Sequence, residues 1–236
     1  MHIPDGFINA GTSLAGGVAA AGGLTVCARR AADFLDDKAA PLAGLVAAFV
    51  FAAQMLNFPV AADEVAAGTG GHLIGGALAA VLVGPWVGAV CVTVVVVVQA
   101  LLFADGGLSA LGLNVLNLAL VTSLVGYGVF AILRRALRNG RPSVVVAAGV
   151  AACLSVVASS LAFVVQYAIG GTGAVALGTV LTAMAGVHLL IGIGEGVITA
   201  MAVSTVLAVR PDLVYGARHL ARPLEVVPRA AAAGEA

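Results

Sequence analysis

Apolar residues run in long, nearly unbroken stretches, interrupted by short islands of glycine, proline, asparagine and charge. Reading between those islands gives seven candidate segments, roughly 8–28, 41–58, 72–84, 86–104, 114–133, 143–169 and 187–209. A helix needs about 20 apolar residues to cross the hydrocarbon core of a bilayer. The third segment is short, so Gly84-Pro85 reads either as a tight turn or as a kink in one long helix shared with the fourth. The stretch 173–186 is also apolar and reads as a re-entrant segment or as added helix length. The pattern alone allows six to eight crossings.

The positions of charge narrow that range. All eleven basic residues fall in three clusters: Arg29, Arg30 and Lys38; Arg134, Arg135, Arg138 and Arg141; Arg210, Arg218, Arg222 and Arg229. Lys and Arg accumulate on the cytoplasmic side of short loops. Seven crossings place all three clusters on that side and leave the N-terminus and the loops 57–71 and 105–113 outside. The expectation is therefore an all-α polytopic membrane protein with about seven transmembrane helices. Its N-terminus lies outside, a bundle spans 1–210, and a cytoplasmic tail spans 211–236.

Composition agrees and excludes other classes. The chain is 61% hydrophobic and 9% charged, with a mean hydropathy of +1.12, whereas soluble domains carry about 25% charged residues. Net charge is zero and no basic tract suggests a nucleic-acid partner. The N-terminus lacks the positive region of a secretory signal, so Met1 is expected to remain the terminus. Pro4-Asp5-Gly6 is turn chemistry that can fold the first residues back over the bundle mouth. Asp5, Asp63, Glu64 and Asp105 make the outward loops mildly cation-attracting, although ordinary loop solubility accounts for acids alone.

The candidate chemistry sits at the start of the chain. A terminal amine at Met1, the amide nitrogen of His2 and its imidazole can close around one divalent metal ion, and His72, in a glycine-rich outward loop on the same side, completes four nitrogens. A planar set of nitrogens suits Ni(II), Cu(II) and low-spin Co(II) better than Zn(II), which prefers tetrahedral sites. Imidazole binds only when neutral, so uptake should weaken in acid.

Other features carry less. Cys27, Cys91 and Cys153 are scattered singly and read as small packing residues. Gly71/Gly75, Gly84/Gly88 and Gly192/Gly196 have the four-residue spacing of close helix approach. Small-residue stripes on the first two segments are candidates for a docking face. The run Gly192-Ile193-Gly194-Glu195-Gly196 follows no strand and lacks nucleotide-loop spacing, and there is no GxxxxGK[ST], so the chain is expected to have no ATPase of its own. Glu195 is an acid inside an apolar run, with His188 two turns before it on one helical face. Both read as polar groups supporting the site or holding helices together, without a catalytic role. His219, near the end, reads as solvated.

Five separated blocks carry a resemblance: MHIPDGFI at 1–8, FAAQMLNFPV at 51–60, GTGGHLIGGALAAVLVGPW at 68–86, QALLFADGGLSALGLNVLN at 99–117 and HLLIGIGEGVIT at 188–199. In these the chain resembles the substrate-binding membrane subunits of energy-coupling-factor transporters for cobalt and nickel, the CbiM/NikM family. The resemblance implies a seven-helix bundle in the inner (plasma) membrane of a prokaryote. It implies Co2+ or Ni2+ held by the Met1 amine, the backbone nitrogen and imidazole of His2, and His72. It further implies three kinds of partner in the bilayer or beneath it: a membrane coupling subunit, paired ATPase subunits and a small membrane accessory subunit. Cobalt destined for cobalamin biosynthesis is the first expectation and nickel the runner-up. One departure is the stretch 61–67, longer than the family's pattern, with Gly70 where serine is more usual. A proton-coupled secondary metal transporter would want several membrane-embedded acids where Glu195 is the clear one. A membrane enzyme would want a nucleophile or acid/base set beside a cavity.

Overall fold

The computed structural model describes residues 2–36, 39–55, 57–58, 71–137 and 140–220. Among these are seven helices: α1 (Ala10–Ala32), α2 (Ala39–Gln54), α3 (Gly76–Val83), α4 (Pro85–Leu102), α5 (Leu111–Ala136), α6 (Arg141–Gly170) and α7 (Leu177–Val209). Five of them, all but α2 and α3, are long and apolar enough to cross a membrane. Leu14, Val18, Ile132, Ile169, Leu190 and Met201 point outward and stay exposed, as expected where lipid replaces water as the surrounding solvent.

The third segment behaves differently from the rest. Helix α3 has only eight residues and is preceded by the non-helical residues 71–75, of which Gly71–His72 pair antiparallel with Asn57–Phe58. Five non-helical residues add at most about 16 Å and eight helical residues about 12 Å, together close to a hydrocarbon core of about 30 Å. The segment therefore runs the height of the bundle, from His72 beside His2 at one end to Gly84 beside Tyr215 at the other. At Gly84 (φ +92°) the chain turns back into α4, whose first residue is Pro85. A Cβ on Gly88 would fall 2.7 Å from the Ala80 nitrogen, so α3 and α4 pack side by side and do not form one kinked helix.

The last helix is longer than its hydrophobic pattern suggests, because the apolar stretch before 187 extends it back to Leu177. Its middle is seated tightly on α6: Cβ atoms on Gly192 and Gly196 would meet the carbonyl oxygens of Cys153 and Gly149 at 2.8 and 2.7 Å. That glycine pair thus serves packing within the bundle. Helix α5 widens into a π-helical stretch at Val115–Val121. There Asn117 and Gln166 exchange two amide hydrogen bonds (2.8 and 2.7 Å), and the Ser159 hydroxyl donates to the Asn117 carbonyl.

Basic residues gather at one end. Arg30 lies over the Trp86 ring and Arg218 over Tyr215, and Arg134 Nη2 lies 2.6 Å from His219 Nε2. His219 therefore meets an arginine and is not merely solvated. Two short turns, Pro211–Leu213 and Tyr215–Leu220, fold onto this end with Val214 and Ala217 fully buried. Residues 221–236, with Arg222 and Arg229, lie outside the described residues, as do Lys38 and Arg138.

Candidate metal centre

Residues 2–9 form a strap across the opposite end of the bundle. Ile3 is buried, its amide donating to Asn114 Oδ1 (2.7 Å) and its carbonyl accepting from Asn114 Nδ2 (3.1 Å) and the Gly107 amide (2.8 Å). Asp5 Oδ1 accepts from the amide and hydroxyl of Ser109 (2.7 and 2.6 Å). Those bonds, the hydroxyl first, hold the Asp5 carboxyl below its ordinary pKa. Phe7 stacks on Phe163 and tilts against Tyr167, and Asn9 and Phe7 bond the backbone of Gly170 and Thr172. The expected fold-back over the bundle mouth is thus built in many places. It requires glycine: at Gly106 (φ +92°) a Cβ would stand 2.9 Å from Asn114 Nδ2 and 3.2 Å from His2 Cβ.

The strap brings His2 to His72 and Asp105. The two imidazole centroids lie 4.9 Å apart with ring planes at 31°, and His2 Nδ1 lies 3.1 Å from Asp105 Oδ1. One ligand atom from each of His2, His72 and Asp105 can be chosen so that all lie within 4.8 Å of one another. The group lines a cleft of about 590 Å³ together with Asp5 and Gln54.

Both histidines are buried, with 8% and 4% of their surface exposed. This corrects the expectation that His72 sits in an outward loop. His72 and residues 73–75 after it are all buried in the bundle. Burial lowers the His2 pKa from its ordinary value, with the adjacent Asp105 opposing part of the shift. Asp105 is half-buried and is held below the usual carboxylate range by the His2 imidazole beside it. Among the described residues, neither ring nitrogen of His2 has an aligned hydrogen bond. His72 Nδ1 lies 2.9 Å from the Leu73 carbonyl, and the tautomer that donates there carries its lone pair on Nε2. Neutral imidazoles facing a carboxylate form a donor set for a divalent cation.

The other expected residues fall as follows. Met1 lies outside the described residues, as do Asp63, Glu64 and Gly70. Glu195, fully buried on α7, accepts the Ile74 and Gly75 amides (2.7 and 2.9 Å). His188 is buried one turn above Ile191 on α7, its Nδ1 2.8 Å from the Met184 carbonyl. Sequence reasoning missed three buried amides near the site, Gln54, Gln99 and Asn114. It also left Asp105 as a loop acid. The signal for the amides was present, since each is a polar residue at the edge of an apolar run.

Known proteins resemble this chain over almost its full length. A protein of Haloquadratum walsbyi described as a metal transport protein is 42% identical over 219 residues, covering 91% of this chain and 94% of its own. The fused nickel transport protein NikMN of Rhodobacter capsulatus is 33% identical over 94% of this chain, which spans 66% of that longer protein. A crystal structure of a transition metal transporter superposes with a TM-score of 0.78 at 30% identity, over 89% of this chain and 93% of the other. With its apolar helices, the protein is a multi-pass component of metal transport in the prokaryotic plasma membrane. Residues 2–213 match the family described as the cobalt uptake substrate-specific transmembrane region, and the chain belongs to that family, CbiM.

Proposed function

We propose that this chain is the substrate-binding subunit of an energy-coupling-factor importer, taking one Co2+ at the outer mouth of the bundle, with Ni2+ as the alternative cargo. The ligands are the terminal amine of Met1, the amide nitrogen and imidazole of His2, and the imidazole of His72. Asp105 offsets the charge of the cation. The reading is carried by the convergence of His2, His72 and Asp105 within 4.8 Å at a buried mouth, in a chain of this family. The gathering of Arg30, Arg134 and Arg218 at the other end supports placing that end in the cytoplasm and the metal site outside.

Without a phosphate-binding loop or its lysine, the chain depends on separate ATPase subunits and on a membrane coupling subunit that moves the bundle to release the ion inward. A small membrane accessory subunit assists loading. The test is to offer purified protein equal Co2+ and Ni2+ and measure the bound metal. One equivalent of metal, predominantly cobalt, is expected. Predominant nickel reverses the order of the two cargoes, and no bound metal overturns the reading.

A further inference from the structure

His72 lies on non-helical backbone inside the bundle, and such backbone must find partners other than water. The partners here are specific. The Ile74 amide donates to Glu195 Oε2 (2.7 Å), and its carbonyl accepts from Gln54 Nε2 (2.6 Å). The Gly75 amide donates to Glu195 Oε1 (2.9 Å), with Gly75 at φ +78° just before α3 begins. Gln54 Oε1 in turn accepts from Gln99 Nε2 (2.7 Å), and the Gln99 carbonyl accepts from the amide of Asp105 (3.2 Å), whose Oδ1 lies 3.1 Å from His2 Nδ1. All three side chains are at most 2% exposed. They stand on α2, α4 and α7, and the height of α7 is fixed by the Gly192 and Gly196 contacts with α6. A carboxylate that uses both oxygens on two successive amides fixes those peptide planes. The peptide planes it fixes are those that follow His72.

We infer that Glu195, Gln54 and Gln99 are positioning residues of the metal site. They clamp Ile74-Gly75 from both sides and tie that clamp to His2, which sets the separation and angle of the two imidazoles and so the geometry offered to the metal. The inference rests on the reading of His2 and His72 as ligands. Glu195→Gln keeps the size of the side chain but turns one acceptor into a donor facing an amide. Gln54→Met keeps length and removes both of its bonds.

The experiment uses the full-length protein and Ni2+ as the probe, with three readouts: affinity by titration, the visible ligand-field spectrum of the loaded protein, and thermal unfolding without metal. Val203→Ala, a fully buried α7 change toward the basic end, serves as the packing control. Wild type is expected to bind and His72→Ala to lose binding. If either fails, the ligand reading itself is wrong. Given that frame, Glu195→Gln and Gln54→Met should weaken Ni2+ binding about tenfold or more and shift the ligand-field bands, while Val203→Ala changes neither. Wild-type affinity and unshifted bands in both variants overturn the inference. So does a loss of affinity that merely tracks thermal stability as in Val203→Ala. Should Glu195→Gln not fold, Gln54→Met decides the matter alone.

Discussion

The segment 71–75 and the middle of α7 each bury a histidine, and they do so on opposite kinds of backbone. His188 stands in a regular helix, where its Nδ1 meets the Met184 carbonyl one turn back, and its Nε2 has no hydrogen bond among the described residues. His72 stands on extended chain whose peptide groups are bonded by Gln54 and Glu195 from other helices. The helix satisfies its own backbone and keeps its side chains on its own cylinder. The extended segment brings an imidazole to within 4.9 Å of a second one from the start of the sequence. Burial is common to both histidines, and convergence with another donor belongs to His72. That convergence marks the candidate ligand.

The largest blow to this contrast falls on the terminus that reaches His72. Adding one or two residues before Met1 turns its amine into an amide and inserts chain beside a strap already pinned at Ile3 by Asn114 and Gly107. Metal binding is expected to be lost while the protein still inserts, whereas a tag after Ala236 leaves binding unchanged. Metal titration of the two tagged forms checks this. Undiminished affinity in the N-terminally extended form would falsify the terminal chelate and leave His2, His72 and Asp105 as a site on their own.

His72→Ala comes next. Removing one of two imidazoles is expected to weaken binding about a hundredfold, equivalent to about 2.7 kcal/mol. The backbone pairing with Asn57 and the bonds at Ile74 and Gly75 do not depend on the side chain, so the bundle should stay folded. Titration alongside circular dichroism separates the two effects, and a folded variant with wild-type affinity removes His72 from the site.

Much of this arrangement was legible in the sequence, and the rest was hidden for identifiable reasons. Every apolar segment corresponds to an element, and Met1-His2 with His72 stood out by chemistry. Hydropathy could not show that Leu73 and Ile74 lie outside any helix and α3 starts only at Gly76, because apolar side chains read alike on either backbone. Nor could it show that 177–186 belongs to α7. Glu195 was visible as an anomaly, but its partners lie 120 and 121 positions away. Gln54, Gln99 and Asn114 carry no charge and passed as ordinary segment ends. Asp105 was one loop acid among several until the strap placed His2 beside it.

A smaller effect concerns protons. Burial lowers the pKa of His2 from the ordinary value of 6.5. In the metal-free protein, imidazole nuclear magnetic resonance should therefore find the His2 ring titrating at lower pH than an exposed histidine. Below about pH 6.5 the unfolded chain takes up a proton at His2 that the folded chain refuses. Folded stability falls with pH in that range. Protons compete with metal for the His2 imidazole, so binding weakens in acid. Titration of the His2 ring at or above pH 6.5 would show that the mouth is wetter than its burial implies.

The smallest expected effect on binding tests the other half of the contrast. His188→Ala removes a side chain that is 1% exposed, and the cavity left behind should cost stability on the order of 2 kcal/mol. Its bond to Met184 lies within one turn of α7, so the loss need not reach the Glu195 clamp two turns further on. Metal affinity is accordingly expected to stay within about twofold of wild type, or on the order of 0.4 kcal/mol. Measured beside His72→Ala under the same conditions, a folded His188→Ala protein that loses metal equally would make His188 a ligand. It would also show that a histidine on helical backbone can join the site without the extended segment that distinguishes His72.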